Sequence, residues 1–171
     1  LKSPVRMACD KRREPRLERP DETDTPDTPP ARRGRRRYVL DAQTGFLLRK
    51  AQQRHLSIFS AHMAEGLTAQ QFATLAKLLE VGPSSQNSLG RQTAMDNSTI
   101  NGVVKRLHQR GLIDKIPSPD DNRMHLVRLT AEGERVTNRV LPLGQEITRL
   151  TLAPLSRSEQ ATLVRLLRKI G

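Results

Sequence analysis

The sequence predicts a mainly α-helical fold carrying one small β-hairpin, and three observations predict it. From Tyr38 onward, apolar residues recur mostly at helical spacing. A dense turn, Pro117-Ser118-Pro119-Asp120-Asp121-Asn122, separates two short runs of strand-type residues. Between Ser85 and Arg110 a short helical segment and a longer amphipathic one are joined by only a few residues.

Charge narrows the partners before any element is placed. The 171 residues hold 30 Lys and Arg against 18 Asp and Glu, a net charge of +12. Such a balance favours a polyanion, either nucleic acid or an anionic membrane surface. No apolar run reaches transmembrane length and no secretory signal pattern is present, so we expect a cytoplasmic protein with no membrane partner. With no Trp, one Tyr and three Phe, the chain lacks stacking platforms for single strands, which leaves double-stranded DNA. Cys9 is the only cysteine, so no internal disulfide forms.

Residues 1–37 are rich in charge and proline and nearly empty of large apolar side chains, and we expect a disordered tail. This stretch has 12 basic and 7 acidic residues, so the remainder is basic by itself. Arg32, Arg33, Arg35, Arg36 and Arg37 suit solvent and also suit DNA phosphates. From Tyr38 to about Ala64 a proline-free helix is expected, with Leu48, Ala51, His55, Ile58, Phe59 and His62 along one side. His55 and His62 have no third metal-type ligand nearby, so no metal site is expected.

Thr68-Ala69-Gln70-Gln71 is a capping box opening the next helix, with Phe72, Leu75, Ala76 and Leu79 as its buried stripe. Gly82-Pro83 stops it. Ser85 then caps a short helix over Gln86 to Thr93 anchored by Leu89, and Ala94 and Met95 leave room only for a tight turn. Asp96 sits at the next N-cap. Beyond it Ile100, Val103, Val104 and Leu107 form one apolar stripe, while Ser98, Asn101, Gly102 and Lys105 lie opposite. Two helices so joined, the second with short polar residues near its start, fit a helix-turn-helix whose second helix enters a major groove. A plain helical hairpin fits the same residues until the next segment is read.

That segment is the predicted hairpin, Leu112 to Ile116 and His125 to Thr130, and a hairpin after a recognition helix is a wing. Arg123 at its tip is placed to enter a minor groove, with Asp121 placed to hold the guanidinium. Thr130 caps a long helix whose seam is Val136, Val140, Leu143, Ile147 and Leu150, with a bend expected at Pro142. Ser156-Arg157-Ser158-Glu159 opens the last helix, lined by Leu163, Leu166, Leu167 and Ile170. The helices at 38–64 and 131–171 flank a winged helix-turn-helix lobe at 66–130 and leave apolar surface that a twofold homodimer would bury.

This order of elements resembles the MarR family of bacterial transcriptional regulators. The resemblance covers about residues 38–171 and rests on Thr99-Ile100-Asn101-Gly102-Val103-Val104-Lys105-Arg106-Leu107, on Arg110-Gly111-Leu112-Ile113, and on Asp121-Asn122-Arg123 followed by Leu129-Thr130-Ala131-Glu132-Gly133. It implies that Asn97, Ser98, Thr99, Asn101 and Lys105 face the major groove and Arg123 the minor groove, with Arg106 adding phosphate attraction. Gly102 departs from the longer polar side chain of many relatives, and we read it as a close-approach site. The family further implies a small phenolic or aromatic carboxylate effector that weakens DNA binding, with Arg54, His55, Phe59, His62 and Phe72 as its candidate contacts. Gln53-Arg54-His55 and Gln86-Asn87-Ser88-Leu89-Gly90-Arg91 are similar to repressors of aromatic and pyridine-ring catabolism, including nicotinate-type ones.

The expected function is therefore a dimeric, sequence-specific DNA-binding repressor released by a small aromatic acid. A nonspecific or architectural DNA-binding protein without an effector is the alternative. No Gly-rich phosphate loop, carboxylate pair or nucleophile elbow appears, so neither an enzyme nor a cofactor is expected.

Overall fold

The computed structural model describes residues 38–119 and 123–171, and the folded unit spans Val39–Gly171. The elements are α1 (Thr44–His62), α2 (Ala69–Val81), β1 (Ser84–Ser85), α3 (Gln86–Gln92), α4 (Asn97–Gln109), β2 (Ile113–Pro117), β3 (His125–Leu129), α5 (Ala131–Leu152) and α6 (Arg157–Ile170). This is the mainly helical class with a small hairpin. The expected tail at 1–37 lies outside the described residues, as does Asp121.

Local chemistry explains most boundaries. Thr68 and Gln71 form the reciprocal capping box of α2, and Ser156 and Glu159 form that of α6. Ser85, Asp96 and Thr130 each accept a backbone N–H through the side chain at the start of α3, α4 and α5. Gly111, at φ +69°, turns the chain out of α4, a conformation glycine adopts without a Cβ penalty. The turn between α3 and α4 places Ala94 at φ +52°, which for a non-glycine residue costs roughly 1 kcal/mol or more.

Three expectations need correction. The first helix does not begin at Tyr38. Leu40–Ala42 make one 3-10 turn and α1 starts at Thr44; between them Gln43 is extended, with its side-chain amide donating to the Val39 carbonyl at 3.0 Å. The buried stripe of α2 is rotated from the expected one: Gln71, Thr74, Leu75 and Leu78 are buried, while Phe72, Ala76 and Leu79 are half-buried. Thr74 is tolerated there because its hydroxyl donates to the Gln70 carbonyl at 2.8 Å. The sheet also has a third strand. Ser84–Ser85 pairs antiparallel with Val127 and Leu126 of β3, giving the order β1-β3-β2.

One core joins these pieces. Leu75 and Leu78 of α2, Leu89 of α3, the whole apolar face of α4, Leu112, Ile113, Val127 and the start of α5 at Val136 and Val140 form a single buried cluster. Two glycines set its closest approaches. At Gly133 an added Cβ would lie 1.9 Å from the Leu112 carbonyl oxygen, so the first turn of α5 touches backbone beside β2. At Gly90 it would meet the Met95 oxygen at 3.2 Å and the Ile100 side chain at 3.3 Å, which brings α3 close against α4. By contrast α1 buries only Phe59, and α6 buries no residue.

Two predictions follow from this packing. Gly133→Ala should destabilise the fold by about 1–3 kcal/mol or more in chemical denaturation, whereas Gly45→Ala in α1, where nothing lies within 4 Å, should gain up to about 1 kcal/mol. The Asp96 cap should show in pH dependence. Hydrogen bonds from Thr99, backbone first, hold the Asp96 carboxyl below the usual carboxylate range. Because its folded pKa is lowered, its contribution is complete above the ordinary carboxylate pKa and is lost as pH falls through the lowered value. Asp96→Asn keeps an acceptor but cannot titrate. The melting-temperature advantage of the parent over this variant should therefore hold at neutral pH and shrink below about pH 4; a constant difference down to pH 3 would contradict it.

Candidate nucleic-acid interface

Helix α4 is positioned by one face and presents the other. Ile100, Val103, Val104 and Leu107 are each 1% exposed or less, which turns Asn97, Ser98, Asn101 and Lys105 to solvent. Asn97, Asn101 and Lys105 follow each other at intervals of four residues along one line. Thr99 stands apart from them. Its backbone N–H donates to Asp96 Oδ1 at 2.7 Å and its hydroxyl to Oδ2 at 2.9 Å, so its polar groups complete the helix cap. Gly102 is half-buried, and an added Cβ there would meet only the Arg106 guanidinium, at 3.6 Å. Nothing packed inside the lobe requires a glycine at this place.

The hairpin rises beside α4. β2 and β3 pair from Ile113↔Leu129 to Pro117↔His125, and Arg123 is exposed where the turn re-enters β3. The expected contact with Asp121 lies outside the described residues. On the sheet itself Arg128 and Asp114 sit opposite each other in the pairing register, with charged atoms 4.0 Å apart.

Two sets of residues escaped sequence reading. Gln86, the first residue of α3, donates through Nε2 to Oδ1 of Asn101 on α4. The α1–α2 turn is held from two sides: Arg110, the C-cap residue of α4, donates to the Glu65 carbonyl at 2.7 Å, and Arg139 of α5 reaches the Glu65 carboxylate at 2.6 Å. Glu65 itself lies at φ +61°, a strained region for a side-chain-bearing residue. In the sequence only the break at Gly66 and Leu67 marks this turn; the arginines lie 45 and 74 residues from Glu65. Arg106 and Arg110 also border a cleft of about 460 Å³ behind α4, with Thr68, Gln71 and Thr99 on its other walls.

The five candidate effector contacts divide. Four line up where α1 crosses the end of α5 and meets α2. Arg54 donates to the Leu150 carbonyl at 3.4 Å, and His55 Nδ1 lies 3.0 Å from the Thr151 hydroxyl. The His55 ring is 6.3 Å from Phe59, which meets Phe72 edge-on at 5.9 Å. Phe72 in turn presses on Gly144, where an added Cβ would lie 2.5 Å from the ring. The fifth, His62, is exposed, and its charge helps lower the Glu146 carboxyl, whose main partner is a hydrogen bond from Arg149. A separate cavity of about 430 Å³ opens between the end of α1 and the start of α2, lined by Leu56, Phe59, Ser60, Met63, Leu67 and Gln70. Of the five, only Phe59 borders it. Among the described residues no cluster of three His, Cys, Asp or Glu could hold a metal ion, and no helix is long and apolar enough to cross a membrane.

Comparison with known proteins agrees with this architecture. The model of the MarR family matches residues 67–125, from the residue before the α2 cap to the first residue of β3. The HTH-type transcriptional repressor NicR of Pseudomonas putida is 40% identical over 134 residues, which is 78% of this chain and 85% of NicR. The crystal structure of a probable transcriptional regulator from Pseudomonas aeruginosa is 48% identical, with a TM-score of 0.76 over 78% of this chain and 100% of that one. A structure of Bordetella bronchiseptica BpsR, whose DNA binding is regulated by 6-hydroxynicotinic acid, is 37% identical with a TM-score of 0.75, covering 78% of this chain and 96% of BpsR. With the helix-turn-helix, the hairpin beside it and these relatives together, the chain belongs to the MarR family of transcriptional regulators.

Proposed function

We propose that this protein is a homodimeric, sequence-specific repressor that a small aromatic acid releases from operator DNA. The observation that carries the DNA half of the reading is the two-faced α4, fully buried on its apolar stripe and open at Asn97, Ser98, Asn101 and Lys105. Short polar side chains on a basic protein suit the major groove, and Gly102 lets the groove wall approach where no internal packing needs a glycine. Arg106 adds phosphate attraction, and Arg123 on the hairpin takes the minor groove.

The dimer half of the reading is supported by surface the chain leaves open. Leu47 and Leu48 of α1, the neighbouring Tyr38, Val39 and Leu40, and Leu166, Leu167 and Ile170 of α6 are all exposed. Large apolar side chains left exposed on these helices suit a partner surface. A twofold axis through these helices would bury it and set two copies of α4 about one helical turn of DNA apart.

For the effector, the relationship to BpsR favours a pyridine or benzene ring bearing a carboxylate. The cavity between α1 and α2 has the size for one such ring. Its wall includes Gly66, next to Glu65, which Arg110 and Arg139 tie to α4 and α5. A ligand that moved this turn would move the end of the recognition helix with it.

Fluorescence anisotropy at physiological salt tests the reading, comparing duplex from upstream of the coding gene with scrambled duplex. We expect a preference of about a thousandfold or more, abolished by 6-hydroxynicotinate or a related acid. DNA should weaken binding of that acid by the same factor, since coupling between two sites is reciprocal. Equal affinity for both duplexes would instead support the nonspecific, architectural reading. Arg123→Ala should lower operator affinity by about tenfold or more and leave the dimer intact by sedimentation; unchanged affinity would remove the hairpin from the interface.

A further inference from the structure

We propose that the Glu65 turn carries the signal from the effector cavity to the recognition helix, an inference that rests on the effector reading above. The turn lies between α1 and α2 and walls two spaces at once. Gly66, Thr68 and Gln70 border the cavity of about 430 Å³ between those helices, and the same three residues border the cleft of about 460 Å³ behind α4. A ring seated in the cavity therefore presses on residues that face Arg106 and Arg110 across the cleft.

Backbone conformation and charge make this wall the part able to take two positions. Glu65 and Gly66 lie at φ +61° and +58°, two left-handed residues in succession. A side-chain-bearing residue keeps that conformation only where its surroundings fix it. Two arginines fix it here: Arg110 of α4 donates to the Glu65 carbonyl at 2.7 Å, and Arg139 of α5 donates to the Glu65 carboxylate at 2.6 Å. Packing does not hold Gly66, since an added Cβ there would meet nothing within 4 Å, whereas the lobe is close-packed at Gly90 and Gly133. Displacement of the turn thus pulls on Arg110 before it deforms the core. Arg110 is the C-cap of α4, and at the next residue, Gly111, the chain turns toward β2. The Gly111 carbonyl also accepts from the Thr130 hydroxyl at 2.7 Å, just past the end of β3. A shift at Arg110 therefore reaches both the recognition helix and the hairpin that carries Arg123.

The test reads one ratio by fluorescence anisotropy on the full-length protein: the dissociation constant of the upstream duplex with saturating 6-hydroxynicotinate, divided by that without it. A uniform change in DNA affinity cancels from this ratio, so loss of a surface cation does not mimic uncoupling. We expect a ratio of about tenfold or more in the parent, falling to within about threefold of unity in Arg110→Ala and in Glu65→Gly. Glu65→Gly should stay folded, because glycine adopts φ +61° without strain. Arg139→Ala should lower the ratio too, and adding it to Glu65→Gly should lower it no further, since both remove the same contact. Each variant should bind the acid alone as the parent does, within about threefold, by calorimetry. Lys77→Ala, which breaks a 2.6 Å ion pair confined to α2, should keep the parent ratio. A parent ratio retained in Arg110→Ala and Glu65→Gly, or lost equally in Lys77→Ala, would overturn the proposal and leave the effector reading standing. So would loss of acid binding in Arg110→Ala, which would make this residue part of the pocket. A parent ratio of one would overturn the effector reading together with the proposal.

Discussion

Burial of the apolar stripe of α4 is the constraint from which the remaining geometry follows. Ile100, Val103, Val104 and Leu107 are all essentially inaccessible, and burying side chains of this size contributes about 1.5–3 kcal/mol each. Rotating α4 by a single residue would expose part of that stripe and push Asn97 or Asn101 into apolar surroundings, where an unpaired amide is costly. The helix can thus adopt one orientation, and its polar line faces away from the lobe as a consequence. What is packed against the stripe then becomes fixed as well: α3 by the close approach at Gly90, and α5 by the contact of Gly133 with the Leu112 backbone.

A second set of contacts ties this rigid lobe to the long helices. Glu65 is held in a left-handed conformation between Arg110 at the end of α4 and Arg139 on α5. Both arginines are surface residues, and exposed ion pairs contribute little to stability. Their interest is geometric, since one turn is made to follow two elements at once. On the other side of the lobe, Phe72 reaches across from α2 to Phe59 and Gly144, so α1, α2 and α5 also share a wedge of rings. Beyond the core shared with the start of α5, these two places, one polar and one aromatic, also connect the lobe to the long helices, and a cavity between α1 and α2 is bordered by Phe59 and Gly66.

How much of this was legible in the residues depended on the range of the interaction. Periodicity and caps act over three or four residues, and the buried face of α4, the boxes at Thr68 and Ser156 and the cap at Asp96 were all readable from spacing. The stripe of α2 was misread by about one position because apolar character alone was counted, whereas Thr74 and Gln71 satisfy their polar groups locally and can be buried. Ser84–Ser85 gave no strand signal, since two serines have no alternation to detect and become a strand only because β3 offers them an edge. The start of the first helix was hidden by a side-chain bond from Gln43 to Val39 that competes with the helix. Contacts such as Gln86 with Asn101, or Arg139 with Glu65, span 15 and 74 residues. They exist only after the core has placed their helices, and no local pattern encodes them.

The same distinction separates the two ends of the folded unit from its middle. In the lobe each helix is covered in part by neighbours within the chain, with burial complete at Leu75, Leu89 and the stripe of α4. In α6 it is absent, although Leu163, Leu166, Leu167 and Ile170 repeat at a spacing as regular as that of the stripe of α4. An amphipathic helix gains most of its stability from packing its apolar face, and a capping box alone contributes far less. In the described residues α6 is capped at Ser156, tethered by Gln160 to the carbonyls of Leu152 and Leu155, and leaves Leu166, Leu167 and Ile170 exposed, which supports the proposed dimer. In the proposed dimer the helices that cover it would also fix the distance between two α4 helices. The spacing of the DNA half-sites would then be set by residues that never approach DNA.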